Sequence, residues 1–327
     1  MELIRGLHNL RPRHRGCVAT LGNFDGVHLG HQAVIGQLAE RAQELKLPTT
    51  IMLFEPQPLE FFQPAAAPPR LTRLREKLMA LRRYSVDRVL CVRFDARFAA
   101  LEPEAFIEKI LVAGLGVRYL VVGDDFRFGA KRRGDFAMLA AAGRRHGFPL
   151  VNMHTVAMDG ERVSSTRVRA ALACADLALA EKLLGRPYRM CGRIAHGDKR
   201  GRTLGIPTAN IHLHRRQTPL RGVFAVEMFG LEREPLPGVA NIGTRPTVDG
   251  VRTLLEVHLL DFNGDIYGRY VHVNFLRKLR DEKRFGSLEE LKARIVQDVE
   301  EARAFFRAYH PVAAGREDLP PAADQLR

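Results

Sequence analysis

A break in pattern at Gly185-Arg186-Pro187 divides this sequence into two kinds of chain. From Cys17 to Leu184, short runs of β-branched residues alternate with segments whose apolar residues recur at helical spacing. Parallel strands joined by crossover helices need such alternation, because strands running one way require a long return segment that also covers the sheet. Candidate strands are Cys17 to Leu21, Thr50 to Phe54, Arg88 to Val92, Tyr119 to Val122 and Leu150 to His154. Val34, Leu38, Ala42 and Leu45 keep helical spacing after the first, as do Leu74, Leu78 and Leu81 further on, and Pro103 stands where a helix can open. The expected fold of this half is α/β, a doubly wound parallel sheet. A helix from about Asp176 then runs to Leu184, where Gly185 suits the C-terminal turn and Pro187 forbids continuation.

Beyond the break the runs are strand-like and separated by Gly and Pro: Arg189 to Ala195, Val223 to Met228, Leu254 to Leu260 and Tyr270 to Phe275. This predicts an antiparallel β-barrel. Ser287-Leu288-Glu289-Glu290 is a capping box, and Leu291, Ile295, Val299, Ala302 and Phe306 carry a terminal helix to about Tyr309. The expected division is residues 1–185, residues 186–310, and a frayed tail over 311–327 rich in Ala, Pro and Gly. A length of 327 residues with 46% hydrophobic and 27% charged side chains supports two buried cores and excludes a disordered or disulfide-stapled chain.

The formal net charge of +14 points to an anionic partner without choosing among nucleotide, nucleic acid and acidic surface. Basic residues come in scattered groups, Arg82-Arg83, Lys131-Arg132-Arg133, Arg144-Arg145 and Arg215-Arg216, rather than one stripe, which argues for a solvated surface and against nucleic acid. Cys17, Cys91, Cys174 and Cys191 form no CxxC pair and read as reduced thiols of a cytoplasmic protein. No export signal and no membrane span are expected, since nowhere do eighteen apolar residues follow one another.

The first candidate strand leads directly into Gly22-Asn23-Phe24-Asp25-Gly26-Val27-His28-Leu29-Gly30-His31 and then a helix. A Gly-rich turn between strand and helix presents N–H groups and the positive end of the helix dipole to an anion, and His28 and His31 add donors for phosphate oxygens. Gly30 leaves room for a nucleotide to approach. The bland alternative makes both histidines loop and cap residues; a metal pair is poorer, because no third ligand stands nearby. Gly123-Asp124-Asp125-Phe126-Arg127-Phe128-Gly129 follows the fourth strand and Val163-Ser164-Ser165-Thr166-Arg167-Val168-Arg169 opens a helix, both where ligands of such sheets bind. Ser164 or Ser165 could equally serve as a cap alone.

In the second half, the stretch from Gly192 to Asn210 combines glycines with Lys199, Arg200 and Arg202, a basic loop able to wrap phosphates or simply a surface loop. Neither a Walker A signature nor the protein-kinase motifs occur.

The runs GNFDGVHLGH, GDDFRFG and SSTRVR resemble the adenylyltransferase module of the prokaryotic riboflavin kinase/FAD synthetases, and the Pro207-Thr208-Ala209-Asn210 element resembles their riboflavin kinase module. The resemblance runs in family order from about Gly22 to Tyr309. It implies phosphorylation of riboflavin to FMN in the barrel and adenylylation of FMN to FAD in the sheet, both with ATP and Mg²⁺. In the sheet it implies that His28, His31, Ser165, Thr166 and Arg169 hold the triphosphate, with Gly22, Asn23, Asp25, Gly30 and Asp125 seating the nucleotide. Phe54, Pro56, Pro58, Phe62 and Phe128 match its flavin wall; core packing is the alternative, strongest for Phe54. In the barrel it implies a phosphate loop of Gly197, Lys199, Gly201, Arg202 and Gly205, oxygen ligands to Mg²⁺ from Thr208 and Asn210, and a base at Glu256 for the riboflavin hydroxyl; Phe275-Leu276-Arg277 fits near the flavin. Without the resemblance, Glu256 is an ordinary outward-facing strand residue. The expected partners are small molecules, with no nucleic acid and no membrane. Rival readings are a chain with one working module and a basic nucleic-acid-binding protein on a degenerate nucleotide fold.

Overall fold

The computed structural model describes residues 1–309 apart from Asp124, His154, 197–205, Arg216 and 248–249. The chain forms two compact units, Met1–Pro68 with Lys77–Val163 and Pro69–Glu76 with Ser164–Arg327. Among the described residues no helix is long and apolar enough to cross a membrane.

The first unit is built on a six-stranded sheet of β1 (Glu2–Arg5), β2 (Cys17–Leu21), β3 (Thr49–Glu55), β4 (Arg88–Arg93), β5 (Val117–Val122) and β6 (Leu150–Asn152), ordered β1-β4-β3-β2-β5-β6. Every pairing is parallel. All residues of β2 are buried, as a central strand covered on both faces must be. One face packs Met52, Leu90, Leu120, Phe106, Ile110 and Leu111; the other packs Val18 and Val121 against Val34, Leu38 and Ala42 of the helix Leu29–Leu45. Strand β1, four residues of which only Ile4 is buried, had no recognisable pattern in the sequence. The segment opened by Pro103 is helical to Phe106 and continues to Gly114 in wider turns. The two short strands β7 (Ala157–Met158) and β8 (Glu161–Arg162) form a hairpin.

The second unit holds the closed barrel of β9 (Tyr188–Ala195), β10 (Ala209–His212), β11 (Gly222–Phe229), β12 (Leu236–Thr247), β13 (Gly250–Leu259) and β14 (Tyr270–Arg280), ordered β10-β13-β12-β11-β14-β9. Phe224, Leu255, Val257 and Phe275 are among its fully buried residues. The terminal helix Leu288–Ala308 starts at Ser287, whose hydroxyl accepts from Glu290 N, and packs Ala302, Val299, Phe305 and Phe306 against Val223, Ala225 and Val239. The helix Leu177–Leu184 is capped by Asp176 and closed by Gly185 at φ 71°.

Residues Pro69–Glu76 complete this unit. Glu76 accepts from Cys191 N at 2.9 Å and pairs with Arg215 at 2.5 Å, and Arg215 also donates to the Arg70 carbonyl at 2.8 Å. Both side chains are almost wholly buried. Arg215 is therefore not the solvated surface cation its neighbourhood in the sequence suggested, and Arg216 lies outside the described residues. The four cysteines are free thiols, all buried except Cys174.

Candidate active sites

In the sheet unit the candidate phosphate site sits where β2 passes into the helix Leu29–Leu45. The turn is tight: Phe24 and Val27 adopt φ 46° and 45°, with Gly26 at φ 85°. His28 caps the helix, its Nδ1 accepting from His31 N at 3.4 Å, so the cap role is real. That acceptance leaves the proton of a neutral His28 ring on Nε2, a donor. The two rings stack with centroids 3.7 Å apart, and Phe24 lies 4.7 Å from His31. His31 Nδ1 is buried with no hydrogen-bond partner. Burial first, then the electrostatic influence of His28, Lys77 and Arg162, holds His31 well below the ordinary histidine value, so the ring is neutral near pH 7.

Gly30 is crowded by the protein itself: a Cβ there would lie 3.2 Å from the His28 ring and 3.3 Å from the Val163 carbonyl. Gly22 donates to the Met52 carbonyl, tying the turn to β3. Asp25 is buried. Asp125 pairs with Arg162 at 3.4 Å, and Asp124 lies outside the described residues.

The expected flavin wall is part of a larger aromatic chain. Phe54 contacts Phe94 and Phe98 at 6.0 and 5.7 Å, Phe62 contacts Phe94 at 5.6 Å, and Phe98 continues through Phe106 to Phe128. Phe62 is 59% exposed, whereas Phe54 and Phe128 are buried core residues. Pro56 follows a cis peptide bond and Pro58 opens the helix Pro58–Phe62. Phe94 and Phe98 escaped sequence reasoning; only their spacing after β4 hinted at a common face.

Ser164, Ser165, Thr166 and Arg169 belong to the second unit. Ser164 is the cap of the helix Ser165–Ala173, accepting from Arg167 N at 3.2 Å, so Ser165 and Thr166 stand in its first turn. Arg169 Nε donates to the Pro69 carbonyl at 2.7 Å.

In the barrel, register assembles a candidate site that motif reading described only in pieces. Asn210 of β10 and Asn241 of β12 both stand directly opposite Glu256 of β13. Such partners have Cβ atoms about 5 Å apart on one face of the wall. Leu255, Val257 and Leu259 are buried while Glu256 and His258 are half-exposed, so the row Asn210–Glu256–Asn241 lies on the outer face. His258 Nδ1 is 2.8 Å from the Pro207 carbonyl, tying β13 to the segment that carries Thr208. Phe275 is buried in the interior against Phe224 and Tyr188, and Arg277 is exposed beside Phe305. Gly197, Lys199, Gly201, Arg202 and Gly205 lie outside the described residues. Asn241 falls in the stretch Gly238 to Thr247, which also resembles the family but suggested no role for it; strand register sets it beside Glu256.

Among the described residues no three His, Cys, Asp or Glu side chains gather as a metal cage. Thr208 and Asn210 instead offer neutral oxygens, a donor set that fits Mg²⁺ when phosphates and waters complete its shell.

Comparison with known proteins places matches on both halves. Residues 10–167 match the family model described as FAD synthetase, and residues 184–306 match that described as riboflavin kinase. The bifunctional riboflavin kinase/FMN adenylyltransferase of Escherichia coli (strain K12) is 56% identical over 312 residues, 95% of this chain and 100% of that protein. The proteins of the same description from Pseudomonas fluorescens and Haemophilus influenzae are 56% and 52% identical, covering 93% and 94% of this chain and 97% and 100% of theirs. The crystal structure of a macrolide-efflux protein from Streptococcus pneumoniae is similar with a TM-score of 0.77 and 29% identity, covering 93% of this chain and 99% of that one.

Proposed function

Since this chain belongs to the family of bifunctional riboflavin kinase/FMN adenylyltransferases, we propose how its residues divide the two reactions. It phosphorylates riboflavin to FMN and adenylylates FMN to FAD, with ATP as donor in both. We assign adenylyl transfer to residues 1–185 and the kinase to residues 186–310; the two family matches support that division.

The observation that carries the kinase assignment is the cross-strand row Asn210–Glu256–Asn241. Glu256 accepts the proton of the riboflavin 5′-hydroxyl as its oxygen attacks the γ-phosphorus of ATP. Asn210 and Thr208 would hold Mg²⁺, which when bound would neutralise charge on the phosphates. The register keeps base and metal-binding amide on neighbouring strands, so the geometry exists before substrate arrives.

In the sheet unit, an FMN phosphate oxygen attacks the α-phosphorus of ATP and pyrophosphate leaves, so no protein nucleophile is needed. What the site must supply is orientation and charge stabilisation. The His28 Nε2–H and the N–H groups at the start of the helix Leu29–Leu45 supply donors to the triphosphate. The resemblance adds Ser165, Thr166 and Arg169 to that role. Phe62, exposed at the end of the aromatic chain, offers a face for the isoalloxazine ring, with Pro56 and Pro58 beside it. Phe54 and Phe128 support that surface from the core.

The test is a time course with riboflavin, ATP and Mg²⁺, the flavins separated chromatographically. FMN should rise and then give way to FAD. FMN alone would confine function to the barrel, and conversion of FMN to FAD with riboflavin untouched would overturn the roles given to Thr208, Asn210 and Glu256. With ATP but no divalent cation, phosphorylation should fail.

A further inference from the structure

A buried charge in the sheet unit plays no part in either assignment. The Lys77 side chain is fully buried, an uncommon fate for lysine, whose ammonium gives up its hydration on leaving water. The ammonium donates to the backbone carbonyl of Asn23 at 2.5 Å. Asn23 leads into the turn that holds Phe24 and Val27 in the left-handed region. That conformation is costly for phenylalanine and more so for a β-branched valine, and it persists only where neighbours over-determine it. Here side chains hold the turn at both ends: Lys77 takes the carbonyl of Asn23, and Gln32 Nε2 donates to that of Val27 at 2.9 Å. Between these anchors Phe24 supports the His31 ring, and the residue after Val27 is His28.

We propose that Lys77 is a positioning residue for adenylyl transfer: its ammonium fixes the Asn23 carbonyl, and with it the strained turn that aims His28 and His31 at the ATP triphosphate, while its charge adds to the attraction for that polyanion. The proposal rests on the reading of the sheet unit as an FMN adenylyltransferase. A methionine fills nearly the same volume but lacks donor and charge. An arginine keeps both.

Full-length Lys77→Met and Lys77→Arg chains are assayed for FAD formation from FMN across a range of ATP concentrations, with riboflavin phosphorylation measured on the same preparations. Lys77→Met should lower kcat/KM for ATP about 100-fold, with KM for FMN within about twofold of the unmodified chain and phosphorylation unchanged. Lys77→Arg should recover to within about fivefold. A Lys77→Met chain within about threefold of the unmodified one, or a Lys77→Arg chain as impaired as Lys77→Met, would overturn the positioning role. If Lys77→Met does not fold, as judged by circular dichroism and loss of both activities, the arginine variant decides by the same limits. An unmodified chain that forms no FAD from FMN would instead overturn the functional reading, whatever the variants do.

Discussion

In the proposed assignment each of two side chains carries a separable part of the chemistry. Glu256→Gln keeps shape and hydrogen bonding while removing the proton acceptor, and should lower riboflavin phosphorylation about 10²- to 10⁴-fold with FAD formation from FMN intact. His28→Ala removes a donor and the helix cap together. It should cut FAD formation about 100-fold and leave phosphorylation unchanged, as measured by assaying each step from its own flavin. A single variant that abolished both steps in a folded chain would refute the division. His28 also shows why the bland and functional readings of that histidine did not compete. Nδ1 caps the helix by accepting from His31 N, so Nε2 is left to donate. The sequence made the motif legible, but the stacking of His28 on His31 depends on a turn with left-handed Phe24 and Val27. No propensity favours that turn, so it could not be foreseen.

Among elements, those with strong periodic or capping signals were readable: the helix after Ser287, the helix ended by Gly185 and the buried central strands. Strands β1, β10 and β12 were not, because two are only four residues long and β12 is broken by Gly and Pro that read as loop. Least visible was the segment Pro69–Glu76, which completes the barrel unit through contacts far apart in sequence. Its Glu76–Arg215 pair is a stability element. Glu76→Ala would leave the Arg215 guanidinium buried without its carboxylate, and should destabilise the barrel unit by roughly 3 kcal/mol, read as a lower urea midpoint. The terminal helix has a titratable tie. Asp261, on the turn after β13, accepts two hydrogen bonds from Arg303 at 2.6 and 2.7 Å. Arg303 holds that carboxyl below its usual range despite some opposing burial. A lowered folded value means the pair's stabilisation is present above the ordinary value of 3.8 and fades as pH falls through the folded one. An Asp261→Asn chain should therefore lose less stability than the unmodified one on acidification through that range, measured by thermal unfolding against pH.

For the whole molecule, two sites on two architectures make FMN both product and substrate. An equimolar mixture of Glu256→Gln and His28→Ala chains should convert riboflavin to FAD, since one chain supplies FMN and the other consumes it. FMN accumulating without FAD in that mixture would mean that FMN formed in one chain is not used by another. The α/β-then-barrel plan was legible from the change of texture at Gly185-Arg186-Pro187, because the period of apolar residues reports layer architecture directly. The compact units, by contrast, are set by contacts: Pro69–Glu76 and the residues from Ser164 onward group with the barrel, so the unit boundary precedes that point.

The barrel closes on an interior filled by side chains such as Phe224 and Phe275, and keeps its row of Asn210, Glu256 and Asn241 on the outside of the wall. Alternation along each strand makes neighbouring residues serve different masters. For protein engineering this separates two variables: interior positions can be redesigned for heat resistance in volume-conserving sets, while outward positions two residues apart are varied for new phosphoryl acceptors. What couples them is strand register, so insertions and deletions within strands, rather than substitutions, are the changes this half of the molecule should tolerate least.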